Sequence, residues 1–248
     1  MWLASRVAGW PPAVVFVLAL LLGFVAFSVI SVLLGALVTD VVLDVGWVRH
    51  ADEGAVDALV DRRAPALTDA SAVASALGGG PLLASLAGLI AIVAAARRSW
   101  PIAVFVVLLL PIETATYRVT LNLVARSRPA VARLEDLPVG GSYPSGHTAA
   151  SIAVYAGLML LLASATPRRP AAVAAWTFAV ALPILVAVSR LYRGMHHPLD
   201  VTAGMLVGIG TLAIVVFACR AAEAATCLRH RSRAVASIST RNSGRTSA

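Results

Sequence analysis

The chain has 248 residues and no lysine: all 20 of its basic side chains are arginine. Charged residues make up 13% of the sequence and aromatics 6%, against 59% hydrophobic, and the mean hydropathy is +0.86. A soluble domain of this length needs far more polar surface, so the scarcity of charge points to an integral membrane protein. Two cysteines, Cys219 and Cys227, are too few for a disulfide framework and read as free thiols. No pair of histidines has zinc-protease spacing. A net charge of +8 often signals nucleic acid, but here the positions of the arginines offer a better account.

What the sequence has in abundance is long apolar runs. A spanning helix needs about 20 apolar residues, and six stretches qualify: 13–38, 76–96, 101–124, 147–164, 171–189 and 199–219. The second is the weakest, being rich in Ala, Gly and Ser around Gly78-Gly79-Gly80-Pro81. The first is longer than the apolar core of a secretory signal and lacks a clear cleavage motif, so it reads as a retained helix. The fold expected is all-α and polytopic, with six transmembrane helices in one bundle over 13–219. Residues 1–12 form a short N-terminus, 39–75 an outer loop, and 220–248 a basic, disordered tail.

The arginines orient this scheme. Arg6, Arg97-Arg98, Arg168-Arg169 and those of the tail from Arg220 all fall on one side of six helices. The positive-inside rule makes that side cytoplasmic, with both termini inside a plasma membrane. The opposite loop carries seven acids (Asp40, Asp44, Asp52, Glu53, Asp57, Asp61, Asp69) against three arginines. Within it, 48–70 has the pattern of a surface amphipathic helix or of a plain connection. Two outer segments break the charge bias: 125–146, with Arg126, Arg128 and Arg133, and 190–198, with Arg190 and Arg193. Lipid headgroups would account for these arginines. An anion to be held accounts for them better.

Three pieces share that outer face: Arg128-Pro129, then Pro144-Ser145-Gly146-His147, then Ser189-Arg190 followed by His196 and Asp200. Arg128 and Arg190 present planar, permanently charged forks to phosphoryl oxygens. Ser145 and Gly146 stand at a helix start, where free N–H groups and the dipole favour an anion. His147 is placed to protonate a leaving oxygen. His196 and Asp200 are four residues apart, on one face of a helix opening near Pro198. A carboxylate holding one imidazole nitrogen would free the other to attack phosphorus and form a phosphohistidine. His197 lacks that spacing and ranks second.

The order R-P, P-S-G-H and S-R-x5-H-x3-D resembles the type 2 phosphatidic acid phosphatase superfamily, which also includes the vanadium haloperoxidases. The resemblance runs from Arg128 to Asp200, and the helical frame extends it to about 13–219. It implies a metal-independent phosphatase without a cofactor. His196 would be the nucleophile, Asp200 its partner and His147 the acid; Arg128, Ser145, Gly146 and Arg190 would form the phosphate cradle. The first motif departs from the family's K-x6-R-P, because Leu121 stands where the lysine belongs. Arg118, about 4.5 Å deeper on roughly the same helical face, and Arg126 are the rival substitutes. Glu113 and Arg118, both inside the third apolar run, suit an ion pair or hydrogen bonds to Tyr117 and Thr114.

The expected substrate is a lipid phosphate at the outer leaflet: phosphatidic acid, phosphatidylglycerol phosphate or a polyprenyl (di)phosphate, with an outward site leaning toward the polyprenyl carrier. No nucleic acid partner is expected. Competing readings are a metal site built on His147, His196, His197 and Asp200, a transporter, a catalytically impaired family member and a vanadate-dependent haloperoxidase. The arginines would repel a cation, and transporter sites usually lie near the midplane.

Overall fold

A computed structural model describes residues 10–136 and 140–243, with side chains up to residue 230. All regular structure among these residues is helical. The helices are α1 (Pro12–Asp40), α2 (Gly46–Val60), α3 (Pro65–Leu77), α4 (Gly80–Ala96), α5 (Trp100–Leu123), α6 (Gly146–Ala165), α7 (Arg169–Tyr192) and α8 (Pro198–Ser243). Among the described residues, five stretches of helix are long and apolar enough to cross a membrane, or six if the bent pair α3–α4 is one span. The chain is a multi-pass membrane protein.

The second span is where the structure departs most from the apolar runs. It does not begin at residue 76: α3 and α4 meet at 44° across Gly78-Gly79, where the helix breaks and restarts with Pro81 in its first turn. The segment 39–75, expected to be an outer loop, is likewise more than a loop, since α2 and most of α3 lie within it. The alternation of Val56 and its neighbours with acids suits a half-buried helix, and α2 buries Asp52 and Val56. The tail expected to be disordered from residue 220 continues α8 as far as Ser243. Its Ala221-Ala222-Glu223-Ala224-Ala225 stretch is a run of strong helix formers.

Among the described residues, those within 24–213 form one compact unit, and 10–23 with 214–243 form another. In the second of these, Gly23 lies against Ile214, whose Cγ2 would be 2.9 Å from an added Cβ. The larger unit carries every candidate site residue. Its core uses small side chains, as lipid-embedded helices do. Ala87, Ala91 and Ala94 of α4 are buried at helical spacing, as are Ala103, Val106, Leu109, Glu113, Thr116 and Thr120 of α5. Ser31 of α1 and Thr120 share a buried hydrogen bond of 2.8 Å.

At one end of this unit the last turn of α5, the first of α6, the last of α7 and the first of α8 come together. Arg63, just after α2, donates to the Tyr192 carbonyl at 2.9 and 3.1 Å and to the Ala132 carbonyl at 2.7 Å. The Ala64 amide donates to the Tyr192 hydroxyl at 3.0 Å. These bonds tie the α2–α3 connection to the end of α7.

Candidate active site

The turn between α7 and α8 delivers His196. Gly194 has φ +70°, and an added Cβ would stand 2.8 Å from Val131 Cγ2. Glycine is therefore needed there both for its conformation and for its size. His196 is buried, and its Nδ1 lies 2.8 Å from the Ser142 carbonyl oxygen. A carbonyl only accepts, so Nδ1 carries the proton and Nε2 keeps its lone pair. Burial pushes the imidazole pKa down to about 3, reinforced by the charges of Arg190 and Arg128 and opposed by Asp200 and the Ser142 carbonyl.

Asp200 does not hold His196 directly. Its Oδ2 is 3.9 Å from His196 Nδ1, beyond hydrogen-bond range, and accepts instead from the His197 amide at 2.8 Å and from His197 Nδ1 at 3.3 Å. The i, i+4 spacing puts the two residues on one face, but the first turn of α8 folds the carboxylate back onto the amide of His197, just before the helix. Asp200 also reaches α6, where its carbonyl accepts from the Ser145 amide at 2.9 Å.

His147 stands in the first turn of α6. Ser145 occupies the cap position, yet its hydroxyl makes no capping bond and pairs with Thr148 Oγ1 at 3.0 Å. The amides of Gly146 and His147 find no partner among the described residues. That leaves the helix start open to an anion. Close approach of α8 holds this start in place: at Gly208 an added Cβ would lie 2.6 Å from the Ala149 carbonyl.

The arginines divide into two groups. Arg128 donates to the Met195 carbonyl at 2.7 Å and leaves Nε buried without a partner. Arg190 is wholly buried; NH1 reaches Ser75 at 2.5 Å and Glu135 at 2.7 Å, while Nε and NH2 are unpartnered. Glu135 also takes Arg193 Nε at 2.5 Å. Burial alone would raise the Glu135 pKa, but Arg190, Ser75 and Arg193 bring it down to about 2.

Arg126 makes up the second group, with no buried guanidinium nitrogen left unpartnered. Its NH1 donates to Asp200 at 2.5 Å and its NH2 pairs with Asp52, so the guanidinium is spent on carboxylates. The sequence left Arg118, with Arg126 as its rival, as the substitute for the missing lysine. Of the two, only Arg118 lines the cavity beside Leu121, and it forms no ion pair among the described residues. Glu113 is buried, accepts from Thr114 at 3.2 Å and makes no ion pair with Arg118.

A cavity of about 490 Å³ opens among Arg118, Arg128, Gly146, His147 and His196, with Leu110 and Ala150 on its apolar wall. The structure thus brings both histidines and Arg128 to one space, with Ser145, Arg190 and Asp200 behind it. Asp52, Ser75, Glu135 and Ser142 were missed. Glu135 had a signal, as the acid nearest the arginines of an arginine-bearing loop; Asp52 was one of seven acids with nothing to single it out.

A model of the PAP2 superfamily matches residues 104–223. An undecaprenyl-diphosphatase of Sulfolobus acidocaldarius is 40% identical over 75 residues, 30% of this chain and 32% of that protein, so the chain spans about a third of the curated relative it matches. The crystal structure of the first transmembrane PAP2 type phosphatidylglycerolphosphate phosphatase from Bacillus subtilis superposes with a TM-score of 0.67 at 25% identity. That likeness covers 78% of this chain and 94% of the other. With Arg128, Ser145-Gly146-His147, Arg190, His196 and Asp200 all inside the matched span, this membrane chain carries a PAP2 superfamily domain.

Proposed function

We propose that this protein is a metal-independent membrane phosphatase that hydrolyses a lipid phosphate through a phosphohistidine. One observation carries the reading: three buried guanidinium nitrogens, Arg128 Nε and Arg190 Nε and NH2, have no partner beside a pair of cavity-lining or cavity-adjacent histidines. Buried N–H donors without acceptors are costly. A phosphoryl group supplies acceptors of the right charge, and arginine forks suit its planar recognition. The open amides of Gly146 and His147 add two more donors.

In the proposed reaction, the phosphate lies against Arg128, Arg190 and the start of α6. Nε2 of neutral His196 attacks phosphorus as the bond to the lipid oxygen breaks. His147 gives that oxygen its proton. Water, deprotonated by His147, then attacks the phosphohistidine; the N–P bond breaks, and phosphate leaves with both histidines restored. Arg128 and Arg190 stabilise charge on the transferring phosphoryl group throughout. Arg118 is the cation that stands in for the family's lysine.

A lipid substrate suits a cavity that opens at the end of apolar helices and has Leu110, Leu121 and Ala150 in its wall. The names of the two relatives span polyprenyl and glycerophospholipid substrates. The arginine distribution supports a plasma-membrane protein with cytoplasmic termini and an extracytoplasmic site, which favours a polyprenyl diphosphate.

The test is phosphate release by detergent-purified protein in EDTA, from phosphatidic acid, phosphatidylglycerol phosphate and undecaprenyl diphosphate, with His196→Ala alongside. Release that survives EDTA and vanishes in the variant is expected. No release from any of the three by folded protein, or undiminished release by the variant, would overturn the reading.

A further inference from the structure

Arg126 has no role in holding phosphate, yet it is among the most constrained side chains at this end of the protein. Its guanidinium is 7% exposed and sits between two buried carboxylates, Asp52 (3%) and Asp200 (0%). A buried cation between two anions is stable only with close, directed hydrogen bonds. Both are present: NH1 to Asp200 Oδ1 at 2.5 Å, and NH2 to Asp52 Oδ2. The other oxygen of Asp52 accepts from the Leu199 amide at 2.9 Å, so Asp52 also pins the first turn of α8.

The same residue reaches His196 by a second route. The Arg126 carbonyl accepts from the Ser142 amide at 2.9 Å, and the Ser142 carbonyl is the acceptor for His196 Nδ1. The Ser142 hydroxyl, bonded to the Ser127 carbonyl at 2.9 Å, locks that strand of loop to its neighbour. The Arg126 guanidinium therefore grips the carboxylate beside the imidazole, while its backbone carbonyl holds the amide of Ser142, the residue whose carbonyl selects the tautomer.

We propose that Arg126 and Asp52 are positioning residues that orient His196 and balance the charge around it, so that a helix of the outer segment is part of the catalytic end. This rests on the reading of His196 as nucleophile. The groups facing His196 are the Asp200 carboxylate at 3.9 Å and the Ser142 carbonyl on one side, and the charges of Arg190 and Arg128 on the other. His197 faces Asp200 rather than His196. Two carboxylates and one guanidinium leave a net charge of −1 next to the imidazole. Removing Arg126 makes it −2, which favours imidazolium; removing the Asp52 charge makes it 0, which disfavours it.

Charge balance makes a prediction that simple damage does not. Arg126→Gln should lower kcat by about 10- to 100-fold with a smaller change in KM, and should move the acid limb of kcat/KM to higher pH. Adding Asp52→Asn should partly restore kcat and return the limb toward its original pH, because the second substitution removes the excess negative charge. Arg126→Lys should retain more activity than Arg126→Gln. Asp52→Asn alone, which keeps an acceptor for the Leu199 amide, should lower kcat about 10-fold with KM within about 2-fold.

Phosphate release from the best lipid substrate reads these values, with gel filtration in detergent to verify folding. A double variant no better than Arg126→Gln, with the acid limb unmoved, overturns the positioning role. So does wild-type kcat in Asp52→Asn, which decides the matter if the Arg126 variants do not fold. His196→Ala separates the two readings: activity surviving in that variant overturns both, whereas its loss together with an indifferent Asp52→Asn overturns only the role of Asp52 and Arg126.

Discussion

The two histidines of the site are held differently, and each difference can be measured. His147 lies in the cavity wall and is assigned the proton for the leaving oxygen. A leaving group that needs no proton should bypass it. His147→Ala is expected to slow lipid phosphate hydrolysis by about 10²- to 10⁴-fold and p-nitrophenyl phosphate hydrolysis much less; equal losses on both would remove the general-acid role. His196 is buried with its pKa pushed to about 3, against 6.5 for a free imidazole. Folding thus favours its neutral form, and the stability linked to it is full above pH 6.5 and lost as pH falls toward 3. Glu135, lowered from 4.5 to about 2, has the same sign, its contribution being full above 4.5 and lost toward 2. Melting temperature in detergent should therefore fall on acidification from pH 6.5, and His196→Phe should flatten the portion between 6.5 and 3. A wild-type melting temperature level across that range would contradict the assignment.

At the scale of elements, the decisive contact is that of α8 with α6. Gly204 and Gly208 let the two backbones approach until an added Cβ would meet the Ser145 and Ala149 carbonyls. This approach seats the start of α6, and hence the open amides of Gly146 and His147, against the helix that follows His196. Gly208→Val would wedge the pair apart. A loss of about 1–3 kcal/mol is expected, read as a lower melting temperature, together with loss of activity although no site residue has changed; unaltered activity would show that the seating does not matter. The helices α2 and α3 and the turn between them contribute through Asp52, Ser75 and Arg63, all side chains from the segment expected to be an outer loop.

For the whole molecule the open quantity is orientation. Exposed Cys227 and the half-buried Cys219 are the chain's own reporters. If the arginine bias sets topology, an impermeant maleimide should leave Cys227 untouched in intact cells and label it after permeabilisation. Asp61→Cys, at an exposed position in a background without the native cysteines, should label in intact cells. The reverse pattern would put the site on the cytoplasmic face and remove the argument for an outer-leaflet substrate.

Spans, helical class and the candidate site motifs were legible in the sequence because each rests on local rules. A bilayer demands about 20 apolar residues in a row, and the three motifs carry their own order and spacing. The long-range pairings were not legible. Asp52 is one acid among seven until α2 folds and Arg126 arrives from 74 positions away. Glu135 and Ser75 meet Arg190 across 55 and 115 positions. The helical spacing of His196 and Asp200 does bring them within 3.9 Å, but Asp200 hydrogen-bonds to His197, and a carbonyl from Ser142 takes the imidazole. Which residue could do chemistry was decided by residue type and local spacing. Which arginine nitrogens remain free to hold an anion was decided by tertiary structure, because a guanidinium offers only the N–H groups that no carboxylate, hydroxyl or carbonyl has taken.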